Sequence, residues 1–303
     1  MSGTVLILGG SGRFGRHATQ AFTQAGWQVR QFDRKRDLLD TAARGADVIV
    51  AGWNPSYEHW AAEVPRLHAA IRAAALAHDA LVILPGNVYV FGPEGDTRWN
   101  ETSPHHATNP LGRIRAAMEA AYRAEGVRTL VLRAGDFIDT RASGNWFDMI
   151  MLPKVAKGRL TYPGNPDLPH AWAFLPDLAR AAVLLADRRD SLNRFEDVPF
   201  PGHTLSGHQL AEALSRSNGH PVRARRMAWW PLRLFWPFKP VIKHLFEMRY
   251  LWHTPHSLDG ARLQALLPGF AQTPLETALR AAQSEREVDP DQPMPARAQV
   301  SAV

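Results

Sequence analysis

The sequence predicts an α/β protein with a doubly wound parallel sheet and a smaller C-terminal lobe. Over the first 135 residues, short apolar runs alternate with helical stretches. Gly26 and Gly126 follow two of these stretches, as is common where helices end, and a glycine-rich turn follows the first apolar run. Strands that alternate with helices are typical of a parallel sheet covered by helices on both faces.

The predicted elements follow one another in strand-helix order. We predict strands at 4–8, 28–32, 47–51, 80–84 and 129–133, and helices at 12–25, 37–44, 61–77 and 111–125. Beyond about residue 135 the pattern is looser. There we predict a helix at 177–186 with Asp177 as its N-cap, and another at 205–218 begun by Thr204 or Ser206.

The composition excludes several classes of site. The 303 residues include no cysteine, so disulfides and thiolate metal sites are excluded, and the histidines lack ligand spacing, so we expect no metal. No apolar run approaches the roughly 18 residues of a membrane span, and with no leader-like segment we expect a cytoplasmic protein. We interpret the net charge of +6 as scattered surface arginines rather than a nucleic-acid-binding face.

The strongest motif is the turn after the first predicted strand. It contains both Gly-x-x-Gly-x-x-Gly and Gly-x-Gly-x-x-Gly, and it opens a predicted helix, which is the context that a dinucleotide site requires. Backbone amides at such a helix start bind pyrophosphate. The motif therefore predicts a Rossmann-type site for NAD or NADP, formed by Gly9, Gly10, Ser11, Gly12, Arg13, Phe14 and Gly15.

Two residues at the end of the second predicted strand bear on the choice between NAD and NADP. Asp33 lies roughly 20 residues beyond the glycines, where a carboxylate accepts hydrogen bonds from ribose hydroxyls and favours NAD. Arg34 follows directly, and a guanidinium favours the 2′-phosphate of NADP. The sequence leaves this preference open.

Four segments in order resemble the extended short-chain dehydrogenase/reductase family, in its nucleoside-diphosphate-sugar epimerase/dehydratase group. They are the glycine turn and residues 84–92, 132–137 and 170–179, and the resemblance spans about residues 3–282. It implies an NAD(P)-dependent oxidoreductase, epimerase or dehydratase that acts on a small carbonyl or hydroxyl substrate, with sugar nucleotides as one candidate. The family usually has a further helix and strand where this chain has only residues 33–47, so we expect that unit to be missing or reduced.

The chain departs from the family at its catalytic triad. The family's Tyr-x-x-x-Lys is matched by residues 111–115, with Leu111 for the tyrosine and Arg115 for the lysine, and its serine is matched by Asn87. Leucine cannot transfer a proton, whereas Arg115 could still bind ribose or phosphate. We predict Tyr89 as the substitute proton donor, with Asn87 and Arg115 beside it. A tyrosine that is simply packed in the core is the alternative.

Other polar residues near predicted strand ends are candidates for the site. Asn54 would line the cofactor site or make an Asx turn before Pro55. We predict substrate contacts from Tyr57, Asp136, Asn145 and His170, the last two at positions where the family contacts substrate. Tyr57 is also a second candidate for the proton donor, and Asp136 would act as a base or cap the segment that follows it. Arg133 we interpret as structural.

For domain organisation, we expect residues 1–140 with returning segments at about 170–200 to bind the dinucleotide. Residues 141–169 and 201–284 would form a substrate lobe, and 285–303 a flexible tail. The aromatic and basic segment 227–252 packs this lobe or a subunit interface, or contacts a membrane, although its prolines disfavour a continuous amphipathic helix. We expect a small-molecule substrate and no nucleic acid, and leave a homodimer open. Loss of Tyr-x-x-x-Lys favours a second hypothesis, a catalytically inactive NAD(P)-binding redox sensor or assembly factor.

Overall fold

The computed structural model describes residues 3–235 and 239–284. The strands of this part are β1 (Thr4–Leu8), β2 (Gln28–Phe32), β3 (Val48–Ala51), β4 (Leu81–Gly86), β5 (Arg98–Trp99), β6 (Thr129–Arg133), β7 (Asp136–Ile138), β8 (Arg159–Tyr162), β9 (His170–Phe174), β10 (Phe195–Pro199), β11 (His203–Leu205), β12 (Arg223–Arg226) and β13 (Ser257–Leu258). The helices are α1 (Arg13–Gln24), α2 (Leu39–Ala43), α3 (Trp60–His78), α4 (Pro110–Ala124), α5 (Leu175–Ala186), α6 (Gly207–Asn218), α7 (Trp230–Phe235), α8 (Val241–Glu247), α9 (Ala261–Leu266) and α10 (Leu275–Ser284).

A six-stranded parallel sheet forms the centre of the fold, in the order β10-β6-β4-β3-β1-β2. The inner strands β1, β3 and β4 are apolar on both faces because helices cover both. Val5 and Ile7 point into a cluster shared with α1 and α5, whereas Leu6 and Leu8 point into a cluster shared with α3. The predicted fold class, a Rossmann-type doubly wound sheet, is confirmed.

The sheet is narrow beyond β1. The strand β2 lies at its edge, and the chain returns through the five-residue helix α2 directly to β3 on the other side of β1. In the part of the chain that the structure describes, no strand pairs with the free edge of β2. The reduced unit expected between residues 33 and 47 is therefore confirmed.

The described residues also form three smaller sheets, mostly from the second half of the chain. They are β11-β9-β7, β12-β8 and β13-β5. The last of these joins residues 98–99 to residues 257–258, so it links segments that lie far apart in the chain.

The start of α5 differs from the prediction. The helix begins at Leu175, with Phe174 in the N-cap position, so Asp177 lies inside the first turn and is not the cap. The Asp177 carboxylate instead accepts hydrogen bonds from the backbone N and hydroxyl of Thr273, at 2.6 and 2.8 Å. It anchors the segment before α10. For α6, Ser206 is the cap, in a reciprocal capping box with Gln209.

The aromatic segment 227–252 forms the short helices α7 and α8 and a final 3₁₀ turn, as its prolines predict. Trp229, Met248, Leu251 and Trp252 are buried in the core, whereas Trp230 is exposed. Residues 236–238 of this segment, and the predicted tail 285–303, lie outside the described residues. Within the described ranges, none of the helices combines the length and apolar character needed to cross a bilayer.

Candidate functional site

A cleft of about 1010 Å³ opens where β1, β2, β3 and β4 end. Its walls are residues 9–14 of the glycine turn, strand-end residues 31–34 and 51–56, and residues 141–143 of a later loop. Pro85, Arg115 and Phe137 also line it, as do Arg16, His59 and Glu63. Ligands of open parallel sheets bind at the carboxyl ends of the strands, and this volume lies at the upper end of the usual range for ligand sites.

The glycine turn is tight because two parts of the backbone meet there. Gly9 has a φ of +77°, which side-chain-bearing residues rarely adopt. A Cβ on Gly15 would lie only 2.1 Å from the carbonyl oxygen of Gly9. These two positions thus require glycine.

The start of α1 offers an anion-binding surface. Gly12 is its N-cap, so no side chain caps the helix, and no acidic residue lies in the first turn. The first amides and the positive end of the helix dipole are therefore available to a ligand at the cleft wall. All the predicted residues 9–14 line the cleft, and Gly15 packs against the backbone of Gly9 and Gly10.

Arg13 connects the turn to the loop at 141–148. Its Nε donates to the carbonyl of Ser143 at 3.0 Å and its Nη2 to that of Gly144 at 2.7 Å. Burial lowers the pKa of the Arg13 guanidinium, partly offset by Asp148. Asn145 stabilises the same loop, because its Oδ1 accepts a hydrogen bond from the backbone N of Asp148 at 3.0 Å. Asn145 is buried and is not part of the cleft wall.

Asp33 and Arg34, which bear on the preference between NAD and NADP, both line the cleft. Asp33 accepts a hydrogen bond from the backbone N of Lys35 at 2.9 Å, and Arg36 lies 3.5 Å from its other oxygen. The guanidinium of Arg34 lies 5.4 Å from the ring centroid of Trp53. An acidic and a basic group, adjacent in sequence, thus both line the cleft, as does Asn54.

At the inner end, Arg115 is buried and contributes to the cleft wall. Its Nη2 donates to the carbonyl of Pro85 at 2.5 Å, whereas its Nε has no hydrogen-bond partner among the described residues. Burial lowers the pKa of this guanidinium. A buried cation with an unused donor suits an oxygen-rich ligand. Leu111 is buried, with its backbone N bound to Glu247 at 2.7 Å.

The two candidate tyrosines lie together behind the cleft. The hydroxyls of Tyr57 and Tyr89 share a hydrogen bond at 2.7 Å, and the exposed fractions of the two residues are 1% and 4%. Neither is part of the cleft wall. Burial, followed by Tyr57 and Asp136, raises the pKa of Tyr89 well above its usual value, so this phenol stays protonated. Asn87, also buried, accepts from the backbone N of Tyr89 at 3.1 Å.

Asp136 and His170 form a pair that the sequence did not indicate. The carboxylate of Asp136 lies 2.7 Å from Nε2 of His170, whose ring stacks on Trp252 at 4.3 Å. The ring of His256 lies 4.3 Å from that of His170, and burial lowers the pKa of His256 well below its ordinary value. Nothing in the sequence around His256 indicates that it belongs to this cluster. This cluster lies outside the walls of the cleft.

One group in the described chain has the spacing of metal ligands. Single ligand atoms of His105, Glu119 and Asp197 lie within 4.8 Å of one another. The fully buried Arg133 binds both carboxylates, Glu119 at 2.7 Å and Asp197 by a second short contact. Burial lowers the pKa of Arg133, but the carboxylates more than offset this, so its pKa is raised. The arginine supplies the positive charge here, which confirms the interpretation of Arg133 as structural.

Comparisons with known proteins identify solved structures that share this fold. No protein-family model matches the sequence, and no match was found among the curated proteins. Among solved structures, MoeE5 in complex with UDP-glucose and NAD is 14% identical, with a TM-score of 0.72, covering 95% of this chain and 100% of that one. A UDP-glucose 4-epimerase from Stenotrophomonas maltophila with bound NAD is 17% identical, with a TM-score of 0.68 and coverages of 94% and 98%.

A UDP-glucose 4-epimerase from Bifidobacterium longum in complex with NAD⁺ and UDP is 16% identical, with a TM-score of 0.67 and coverages of 95% and 99%. The TM-scores and coverages establish a shared fold over nearly the whole length of both chains. At identities this low, the comparison shows the fold alone. The chain therefore has the fold of the nucleoside-diphosphate-sugar epimerases, and the resemblance stated from its motifs is confirmed at the level of fold.

Proposed function

We propose that the cleft binds NAD or NADP, and that the chain is an NAD(P)-dependent oxidoreductase or epimerase/dehydratase-like enzyme. Its substrate would be a small carbonyl or hydroxyl compound, with sugar nucleotides the first class to test. The observation that carries the proposal is the uncapped start of α1, at the wall of a 1010 Å³ cleft at the strand ends. The solved structures of the same fold that contain NAD and UDP-sugars support it.

The residues of the cleft suit a dinucleotide. The amides at the start of α1 would bind the pyrophosphate, and Asp33 or Arg34 the adenosine ribose or its phosphate. The guanidinium of Arg115, which contributes to the cleft wall, would donate to an oxygen of the second ribose. Bound NAD(P) would supply the hydride acceptor or donor of the reaction.

The proton chemistry would depend on buried phenols. With its pKa raised, Tyr89 is a weaker acid than an ordinary tyrosine, and among the described residues that shift this pKa there is no lysine. Proton transfer from Tyr89, with Tyr57 as its hydrogen-bond partner, would therefore be slow. Asp136 and His170 would contact substrate rather than cofactor, because neither is part of the cleft wall.

The burial of Tyr57 and Tyr89 also favours a second function. Both are buried with their hydroxyls bonded to each other, and neither reaches the cleft. A protein that binds NAD(P) without catalysis, as a redox sensor or assembly factor, needs no proton donor there.

Ligand identification tests the binding proposal. The purified protein is denatured, and released small molecules are identified by mass spectrometry. In parallel, NAD⁺, NADH, NADP⁺ and NADPH are titrated calorimetrically, and UDP-glucose is added at saturating dinucleotide. We expect saturable binding of at least one dinucleotide. Absence of both co-purified dinucleotide and binding heat at millimolar concentration would contradict the proposal.

The Tyr89→Phe variant separates enzyme from sensor. If Tyr89 is the proton donor, kcat falls by about 10²–10⁴-fold while dinucleotide affinity is unchanged. The matched control is Tyr122→Phe, which removes another buried hydroxyl, bonded to His68 at 3.0 Å. Equal kcat in Tyr89→Phe and Tyr122→Phe would remove Tyr89 from the mechanism. Absence of turnover in the wild type, with binding intact, would favour the sensor.

A further inference from the structure

The net positive charge of the chain lies within a single segment. Residues 213–246 contain seven basic residues and no acidic one: Arg216, Arg223, Arg225, Arg226, Arg233, Lys239 and Lys243. Since the whole chain carries +6, the other residues together carry −1. The excess of positive charge is therefore concentrated in this stretch of the sequence.

Most of this charge is not neutralised by the protein itself. Glu276 pairs with Arg216 at 2.9 Å. For the other six basic residues, no carboxylate of residues 3–235 or 239–284 lies within ion-pair distance. All six are exposed. Their field acts on the solvent and on whatever molecule approaches this surface.

Exposed apolar side chains lie in the same segment. Trp230 and Leu234 are 70% and 65% exposed, whereas the neighbouring Trp229 is buried. They are four residues apart in α7 and thus lie on the same side of the helix. Leaving two large apolar side chains in water is unfavourable unless something covers them.

We propose that residues 223–234 and 239–243, through Trp230, Leu234 and the six exposed basic residues, bind the surface of an anionic lipid bilayer. Lysines and arginines are attracted to acidic headgroups, and tryptophan and leucine insert at the boundary with the acyl chains. Nucleic acid would match the charge but leaves Leu234 without a contact, so the lipid surface explains both features. The protein then works at a membrane surface.

Vesicle co-sedimentation of the full chain tests this. We expect binding to phosphatidylcholine vesicles that include about a third phosphatidylglycerol, weakening as salt rises from about 0.05 to 0.5 M, and little binding to phosphatidylcholine alone. Removal of two charges by Arg223→Gln and Arg225→Gln should weaken binding by about 25-fold, at about fivefold for each charge. The matched control, Arg44→Gln with Arg66→Gln, removes two exposed charges elsewhere and should bind like the wild type.

The apolar contribution has its own pair of variants. Trp230→Ser with Leu234→Ser should weaken vesicle binding by at least about tenfold. The control is Leu38→Ser, which removes a leucine that is 76% exposed in another part of the chain. Because all three side chains are exposed, thermal melts should match the wild type.

Three results would overturn the proposal. They are absence of binding to the anionic vesicles at low salt, unchanged binding by the Trp230/Leu234 variant, and displacement from vesicles by an equal phosphate concentration of duplex or single-stranded DNA. The last result would assign the surface to nucleic acid.

Discussion

Replacing Gly15 by alanine tests the pyrophosphate site most directly. The new Cβ would lie 2.1 Å from the Gly9 carbonyl oxygen and 2.8 Å from the Gly9 carbonyl carbon. Ordinary contact begins at 3.4 Å, so the turn and the start of α1 must separate by about 1.3 Å, the difference between 3.4 and 2.1 Å. Because amide hydrogen bonds to phosphate span only about 2.7–3.2 Å, that displacement would break them.

The size of the effect follows from the bonds lost. Hydrogen bonds to charged groups contribute about 1.5–3 kcal/mol each, so loss of two weakens dinucleotide binding by more than about 100-fold. The assay is calorimetric titration of Gly15→Ala with the dinucleotide that the wild type binds.

Two further glycines provide a graded series. A Cβ on Gly12 would lie 3.1 Å from the Gly9 oxygen, so Gly12→Ala should fold normally and lose about tenfold in affinity. Gly26 has a φ of +77° at the other end of α1, with nothing within 4 Å of its Cβ position. Gly26→Ala should lose about 1–2 kcal/mol of stability and keep its affinity. A folded Gly15→Ala protein that binds as tightly as Gly26→Ala would refute the reasoning.

Three other variants address specificity, stability and pH. Arg34→Ala should lose about tenfold or more in NADP⁺ affinity and little in NAD⁺ affinity by calorimetry, because a guanidinium pairs with the 2′-phosphate; equal losses would contradict this role. Arg133→Met should lower the free energy of unfolding by about 3–5 kcal/mol in urea titrations, since Glu119 and Asp197 would stay buried without the cation that pairs with them, and apolar replacement of both carboxylates should restore most of it. Burial lowers the pKa of His68 to about 3, so below pH 6.5 the unfolded chain binds a proton that the folded one excludes. Stability is therefore complete above pH 6.5 and falls by up to about 1.4 kcal/mol per pH unit toward pH 3, and His68→Leu should reduce that slope in unfolding curves at pH 7, 6 and 5.

Local patterns in the sequence determined the central sheet. The strands at 4–8, 28–32 and 129–133 have the predicted bounds, and the helices of the first half differ from prediction by one or two residues at each end. Apolar runs and helix-ending glycines act through neighbouring residues, so they are readable without the fold. The glycine turn is equally local, because strand, turn and helix start lie within 15 residues.

The inner side of the candidate site was decided only by the tertiary structure. Tyr57 meets Tyr89 across 32 residues, and Asp136 meets His170 across 34, contacts that depend on which strands are neighbours in the sheets. Each tyrosine could equally have opened into the cleft, since residue type and position at a strand end do not fix burial. The same holds for Asp177, whose sequence context suits an N-cap but whose carboxylate binds Thr273, 96 residues away. A hydrogen bond between distant residues depends on the packing of whole elements, and no local pattern encodes that.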